Sequence, residues 1–300
     1  MYVVTGATGN TGSVLANNLL SRGEKVRVIG RDAPRLQTLA AQGAEPFVAD
    51  LEDAAALAKA FTGAKAVYVM IPPNLKSQDV RAYQARVTES VAAAIERARV
   101  THAVVLSSYG ADKPDSTGPV LGLHLLEERL NRIAGLNALH LRAGYFMENT
   151  LAQAGIVKGL GFAAGPLRPD LKLCMIATRD IGNFAAEALS RLDFKGKQTQ
   201  ELLGQRDVTM AEVATIIGEA IGKPDLPYRQ LPNEQIRPAL LQMGMSESMA
   251  DLLLEMSAAL NSGYMRPLEQ RSARNSTPTS YESFVADEFV PLYEGRSAAA

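Results

Sequence analysis

Gly6, Gly9 and Gly12 stand in G-x-x-G-x-x-G spacing within TGATGNTG at 5–12, directly behind a short β-branched run and ahead of a helical pattern, SVLANNLL at 13–20. A strand feeding a helix through such a turn brings free backbone N–H groups and the positive end of the helix dipole to one point, where a phosphate binds. Glycine keeps the turn tight, lets the backbone approach a pyrophosphate and lets the helix pack on the strand. Gly6, Thr8, Gly9, Asn10, Thr11 and Gly12 are therefore candidate dinucleotide contacts. No Gly-Lys-Ser/Thr follows, which argues against a nucleoside-triphosphate loop.

The first half of the chain alternates short apolar runs with helix-length segments. Runs at 2–5, 25–30, 45–49, 65–71, 102–107 and 137–142 read as buried strands. Repeated β-α-β units predict an α/β fold: a doubly wound, mostly parallel Rossmann sheet with helices on both faces. The texture changes near residue 150. Gly and Pro become frequent over 155–169, strands near 172–177, 199–203 and 226–231 are fewer, and apolar spacing at 234–243 and 249–260 suits amphipathic helices. The expected organisation is an NAD(P)-binding domain over 1–150, a smaller, mostly helical substrate-binding lobe over 151–295, and a tail at 296–300. Segments near 172–203 are candidates to return to the sheet.

Of 300 residues, 47% are hydrophobic and 21% charged, with a net charge of -1. That balance describes a globular chain without the basic field a nucleic-acid partner needs. A single cysteine, Cys174, excludes an intrachain disulfide framework. No apolar run approaches the roughly 18 residues of a membrane span. The expectation is a cytoplasmic protein with no membrane and no nucleic-acid partner. Three dispersed histidines, His102, His124 and His140, give no metal-ligand spacing.

The end of the second strand selects the ribose, because an acidic residue there binds a 2′-hydroxyl and repels a 2′-phosphate. This strand ends in Gly30 and Arg31. A guanidinium offers a planar fork to a phosphate, so NADP(H) is favoured over NAD(H), with Asp32 keeping NAD(H) open. After the third strand, Asp50 and Leu51 are placed to meet the adenine edge, although Asp50 suits a helix N-cap equally. Ile71 and Pro72 leave the fourth strand along the middle of the cofactor, or simply as a rigid loop exit.

With these residues in place the chain resembles the NmrA-like group of atypical short-chain dehydrogenases/reductases. The resemblance is carried by TGATGNTG (5–12), LSSYGA (106–111), HLLEERL (124–130), LRAGYFMEN (141–149) and ATRDIG (177–182). It implies a Rossmann domain that binds NAD(P)(H) beside a small lobe, with a cleft between them. Members include quinone and azo-dye reductases, and non-enzymatic sensors of the nicotinamide redox ratio.

Most short-chain dehydrogenases place a lysine four residues after a tyrosine on one helix, where it lowers the tyrosine pKa. Here Tyr109 and Lys113 match in number only, because a loop with Gly and Pro separates them. The resemblance also implies a lysine on the following helix, yet none occurs over 120–135, where Glu127, Glu128 and Arg129 stand. The remaining proton-donor candidates are Ser108, Tyr109 and His124, with Ser107 beside them as a cofactor contact. The serines can equally just end a strand, and His124 can be structural. Tyr145 and Phe146, with Asn149, face either the cleft or the core between the lobes. Asp180 reads as a helix N-cap. Met243, Met245, Met249 and Met256 can line an adaptable apolar pocket or serve ordinary helix packing.

The favoured function is an NADPH-dependent reductase of a small apolar acceptor such as a quinone, imine or enone. The alternative is a non-catalytic NAD(P)(H) sensor. The expected partners of the protein are the dinucleotide, a small apolar substrate, and a second copy of the chain or a regulatory protein.

Overall fold

The structure, a computed structural model, describes residues 1–296. All of the expected tail except Arg296 lies outside the described residues. Six early strands build the main sheet: β1 (Tyr2–Val4), β2 (Val26–Gly30), β3 (Glu45–Val48), β4 (Ala66–Val69), β5 (His102–Ser108) and β6 (Asn137–Ala143). They lie in the order β3-β2-β1-β4-β5-β6, with every neighbouring pair parallel. This is the Rossmann arrangement, and its strand order reverses between β1 and β4. Ligands of open α/β sheets bind outside the carboxyl ends of the strands at such a switch point.

Alternation within the strands explains their nearly continuous apolar runs. Tyr2, Val4, Tyr68 and Val104 join a core with α1 (Asn10–Ser21), α2 (Ala33–Ala41) and, from later in the chain, Ile181, Ala185 and Leu189. Val3, Val67, Val69, Ala103 and Val105 face the opposite core, packed by α3 (Ala54–Phe61), α4 (Val80–Ala98) and α5 (Val120–Asn131). Both faces are covered, so both are mainly apolar.

After β6 the chain crosses from one sheet to another at Gly144. Its N–H bonds the Leu202 carbonyl at 2.8 Å, and a Cβ there would collide with the Cys174 carbonyl. The crossing starts β7 (Tyr145–Phe146), followed by a 3-10 turn (Met147–Ala152), α6 (Gln153–Leu160), β8 (Ala163–Gly165) and β9 (Lys172–Ile176). The chain then revisits the main sheet. α7 (Thr178–Arg191) packs on α1, and β10 (Lys197–Leu202) pairs in parallel with β6 as the seventh strand. β11 (Asp207–Thr209) pairs with β9, which also pairs with β7. α8 (Met210–Ala220), β12 (Tyr228–Gln230), α9 (Asn233–Gln242) and α10 (Glu247–Asn261) follow, and β12 pairs with β8. The last described elements are α11 (Tyr281–Phe284), a π-helical turn (Val285–Phe289) and α12 (Val290–Tyr293).

A separate core lies beyond the main sheet, in which Tyr281, Phe284 and Phe289 meet Leu173, Val213 and Ile217. β7, β8 and β11 are two or three residues long, too short for a period-2 pattern to mark them. Asp180 is not the cap it resembles. α7 begins at Thr178 with Ala177 as its N-cap residue, and the buried Asp180 carboxylate accepts hydrogen bonds from the Thr279 N–H (3.0 Å) and hydroxyl (2.8 Å). Cys174 is buried, and its thiol pKa is pushed up to about 12, chiefly by burial. No described helix is long and apolar enough to cross a membrane.

Candidate functional site

Behind β1, Gly6 takes φ +61°, and a Cβ there would sit 2.9 Å from the Met70 sulfur. The turn closes through the Gly9 N–H, 2.9 Å from the Gly6 carbonyl. α1 starts at Asn10 with Gly9 as its N-cap residue and no side-chain cap, so its first N–H groups face outward uncapped by any side chain. A groove of about 180 Å³ runs over this turn, lined by Gly6, Thr8, Gly9, Arg31, Asp50 and Leu51 among others.

Not every residue of the glycine stretch reaches that groove. Asn10, Thr11 and Gly12 are absent from its lining. The Thr11 hydroxyl is buried and accepts from the Tyr68 hydroxyl at 3.0 Å. A Cβ on Gly12 would run into the Gly6 carbonyl, so this glycine serves helix-to-turn packing. Asn10 is exposed at the first turn of α1.

Arg31 stands at the groove as the strand ending implies. Asp32 is occupied: it caps α2 by accepting the Arg35 N–H at 3.3 Å. Asp50 is not the cap of the next helix, a role taken by Asp53, whose carboxylate accepts the N–H groups of Ala55 and Ala56. Two polar lining residues, Arg35 and Tyr83, are not among the groove contacts expected from the sequence. Arg35, in the first turn of α2, donates to the Thr8 carbonyl at 3.0 Å, and a second basic residue so soon after Arg31 is the cue the sequence offers for it. Tyr83 lines the groove, with burial pushing its phenol up to about 12.

A larger cavity of about 480 Å³ adjoins the groove, and Met70, Pro72, Pro73 and Tyr83 line both. Ile71, Ser107, Ser108, Tyr109, Tyr145 and Phe146 all lie along this cavity. Its far side is apolar: Met245, Met249, Leu253 and Met256 come from α10 and the turn before it, with Met265 beyond, whereas Met243 is exposed. Polar contacts hold α10 over the cavity. The Ser246 N–H donates to the Leu75 carbonyl, the Val80 N–H to the Ser248 hydroxyl, and the Gly118 N–H to Glu255.

Burial raises the Tyr109 phenol well above its ordinary pKa and pushes Tyr145 up to about 12. Both stay protonated at neutral pH and can donate to an oxygen that gains charge. The Ser108 hydroxyl donates to the Tyr109 carbonyl at 3.0 Å. Lys113 is not a partner for Tyr109: it pairs with Asp112 at 2.8 Å and lies over the Tyr264 ring. His124 does not line the cavity either. Its Nδ1 lies 2.9 Å from the Ala111 carbonyl and its Nε2 is 3.7 Å from Glu128, so the ring ties α5 to the preceding loop. Among the described residues, neither the groove nor the cavity is lined by a lysine.

A switch-point groove adjoining an apolar cavity can hold an extended dinucleotide with one end beside an apolar molecule. A family model described as the NmrA-like family matches residues 2–289. The chain belongs to the NmrA-like family. This family member is similar to an NAD(P)H azoreductase of Xenophilus azovorans, with 30% identity over 88% of this chain and 89% of that protein. It is also similar to quinone oxidoreductase 2 of Escherichia coli (strain K12), with 29% identity over 88% of this chain and 89% of the other. A solved NADPH-dependent quinone oxidoreductase from Escherichia coli, complexed with NADPH, superposes with a TM-score of 0.82 at 25% identity. That match covers 95% of this chain and 99% of the other.

Proposed function

We propose that this NmrA-like protein is an NADPH-dependent oxidoreductase that passes hydride to a flat apolar acceptor of the quinone, imine or enone class. The observation that carries the reading is the adjacency of the two spaces: four residues line both the phosphate-loop groove and the methionine- and aromatic-lined cavity. The named activities of the azoreductase and quinone oxidoreductase relatives support it.

NADP(H) is the dinucleotide. Arg31 and Arg35 offer two guanidinium groups to a 2′-phosphate, while Asp32, the carboxylate at the end of the second strand, is engaged as a helix cap. Bound NADPH supplies the hydride, so the protein has to provide mainly apposition and exclusion of water. The apolar wall from α10 provides both. Tyr109 is the first choice for donating to the oxygen or nitrogen on which charge develops, with Ser108 beside it. A quinone needs one hydride and one proton to become a hydroquinone, and it depends less on a strong acid than a ketone does. That requirement fits a cavity without a lysine.

Tyr145, Phe146 and Asn149 line the cavity, so an acceptor there would meet an aromatic and amide wall. A bound dinucleotide with its nicotinamide face plugged by side chains from 144–150 would favour a sensor instead.

Filling the cavity tests the placement of the acceptor. Leu253→Trp is expected to raise the KM for a quinone by at least roughly tenfold, about 1.4 kcal/mol, while NADPH affinity measured by calorimetry stays unchanged. Unaltered quinone kinetics in that variant would move the acceptor out of this cavity.

A further inference from the structure

β5 and β6 are paired so that Ser107 stands opposite Arg142, which puts both side chains on the same face of the sheet. Glu127 of α5 meets them there. Its Oε1 accepts from the Ser107 hydroxyl at 2.5 Å and from the Arg142 Nε at 3.0 Å, and its Oε2 accepts from Arg142 Nη2 at 2.6 Å. Ser107 and Glu127 are both buried, 2% and 4% exposed, yet Ser107 also lines the large cavity. In all three contacts the carboxyl oxygens accept, Oε1 from the Ser107 hydroxyl and Arg142 Nε and Oε2 from Arg142 Nη2. The hydroxyl proton of Ser107 is therefore committed to Glu127, and its oxygen can offer the cavity only lone pairs.

We propose that Glu127, braced by Arg142, is a positioning residue that fixes Ser107 as an obligate hydrogen-bond acceptor for the nicotinamide half of the dinucleotide. The carboxamide N–H groups and ribose hydroxyls of that half are the donors such an oxygen selects. A serine free to rotate would lose part of this preference to its other rotamers and to water. The proposal rests on NADP(H) binding in the groove and not on which acceptor is reduced.

The test is calorimetric titration of the full-length protein with NADPH and, separately, with adenosine 2′,5′-bisphosphate, which carries the adenosine half alone. Ser107→Ala removes the acceptor. Glu127→Gln keeps the shape but leaves one accepting oxygen where the carboxylate has two, so that the Ser107 hydroxyl and Arg142 compete for it. Each is expected to weaken NADPH roughly tenfold, about 1.4 kcal/mol, and to leave the bisphosphate unchanged. Because both act through one oxygen, the double variant should bind NADPH no more weakly than Ser107→Ala alone, within about twofold. If Glu127→Gln does not fold, Glu127→Met with Arg142→Met removes the pair without stranding a buried charge, and it should reproduce the Ser107→Ala loss. Equal losses for both ligands, additive losses in the double variant, or wild-type NADPH affinity in any of these variants would overturn the proposal. Failure of the unsubstituted protein to bind the bisphosphate would instead count against the dinucleotide reading itself.

Discussion

Gly12→Ala is expected to abolish tight NADPH binding although Gly12 does not line the groove. The added methyl would meet the carbonyl of Gly6. Both partners in that clash are backbone, so no rotamer change relieves it, and α1 must move away from the turn that presents its N–H groups. Overpacking of this kind costs about 1–3 kcal/mol and occasionally more. Because the displaced atoms are the phosphate-binding ones, affinity should fall roughly a hundredfold, about 2.8 kcal/mol, together with a lower melting temperature. Gly23→Ala is the matched control. Gly23, just beyond α1, has φ +75° with nothing near its Cβ position. Alanine there should cost about 1 kcal/mol of stability through backbone strain and leave NADPH affinity as it was. Wild-type NADPH binding by Gly12→Ala would show that the turn tolerates the shift.

The second large effect is on cofactor choice. The unsubstituted protein should bind NADPH more tightly than NADH. Arg31→Ala should narrow that gap, and Arg31→Ala with Arg35→Ala should close most of it. Hydrogen bonds to a charged group contribute about 1.5–3 kcal/mol each, so the double variant should lose roughly a hundredfold in NADPH affinity. NADH, with no 2′-phosphate to lose, should change by no more than about twofold. Equal affinities for the two cofactors in the unsubstituted protein would remove the phosphate role from both arginines.

What is legible in the sequence is local. Apolar runs with a glycine turn between a strand and a helix specify the β-α-β units, and Arg31 can be read because it follows a strand end directly. Residues that act through distant partners were harder to read. Asp180 carries the signature of a cap, yet it bonds Thr279, 99 residues away. His124 has the right chemistry for a proton donor, but it is turned onto Ala111. The cavity is assembled from the 70–84, 106–123, 144–149 and 245–265 stretches, and no local pattern announces that they meet. Glu127 marked only the place where a lysine was missing, because its role depends on the register that sets Ser107 opposite Arg142.

The most direct measurement is the loss of NADPH absorbance on mixing the purified protein, saturated with NADPH, with a panel of quinones and imines under anaerobic conditions. The account predicts oxidation that depends on both protein and acceptor, one NADPH consumed per two-electron reduction, and markedly slower turnover with NADH at the same subsaturating concentration. No acceptor-dependent loss from a protein shown by calorimetry to hold NADPH would contradict it.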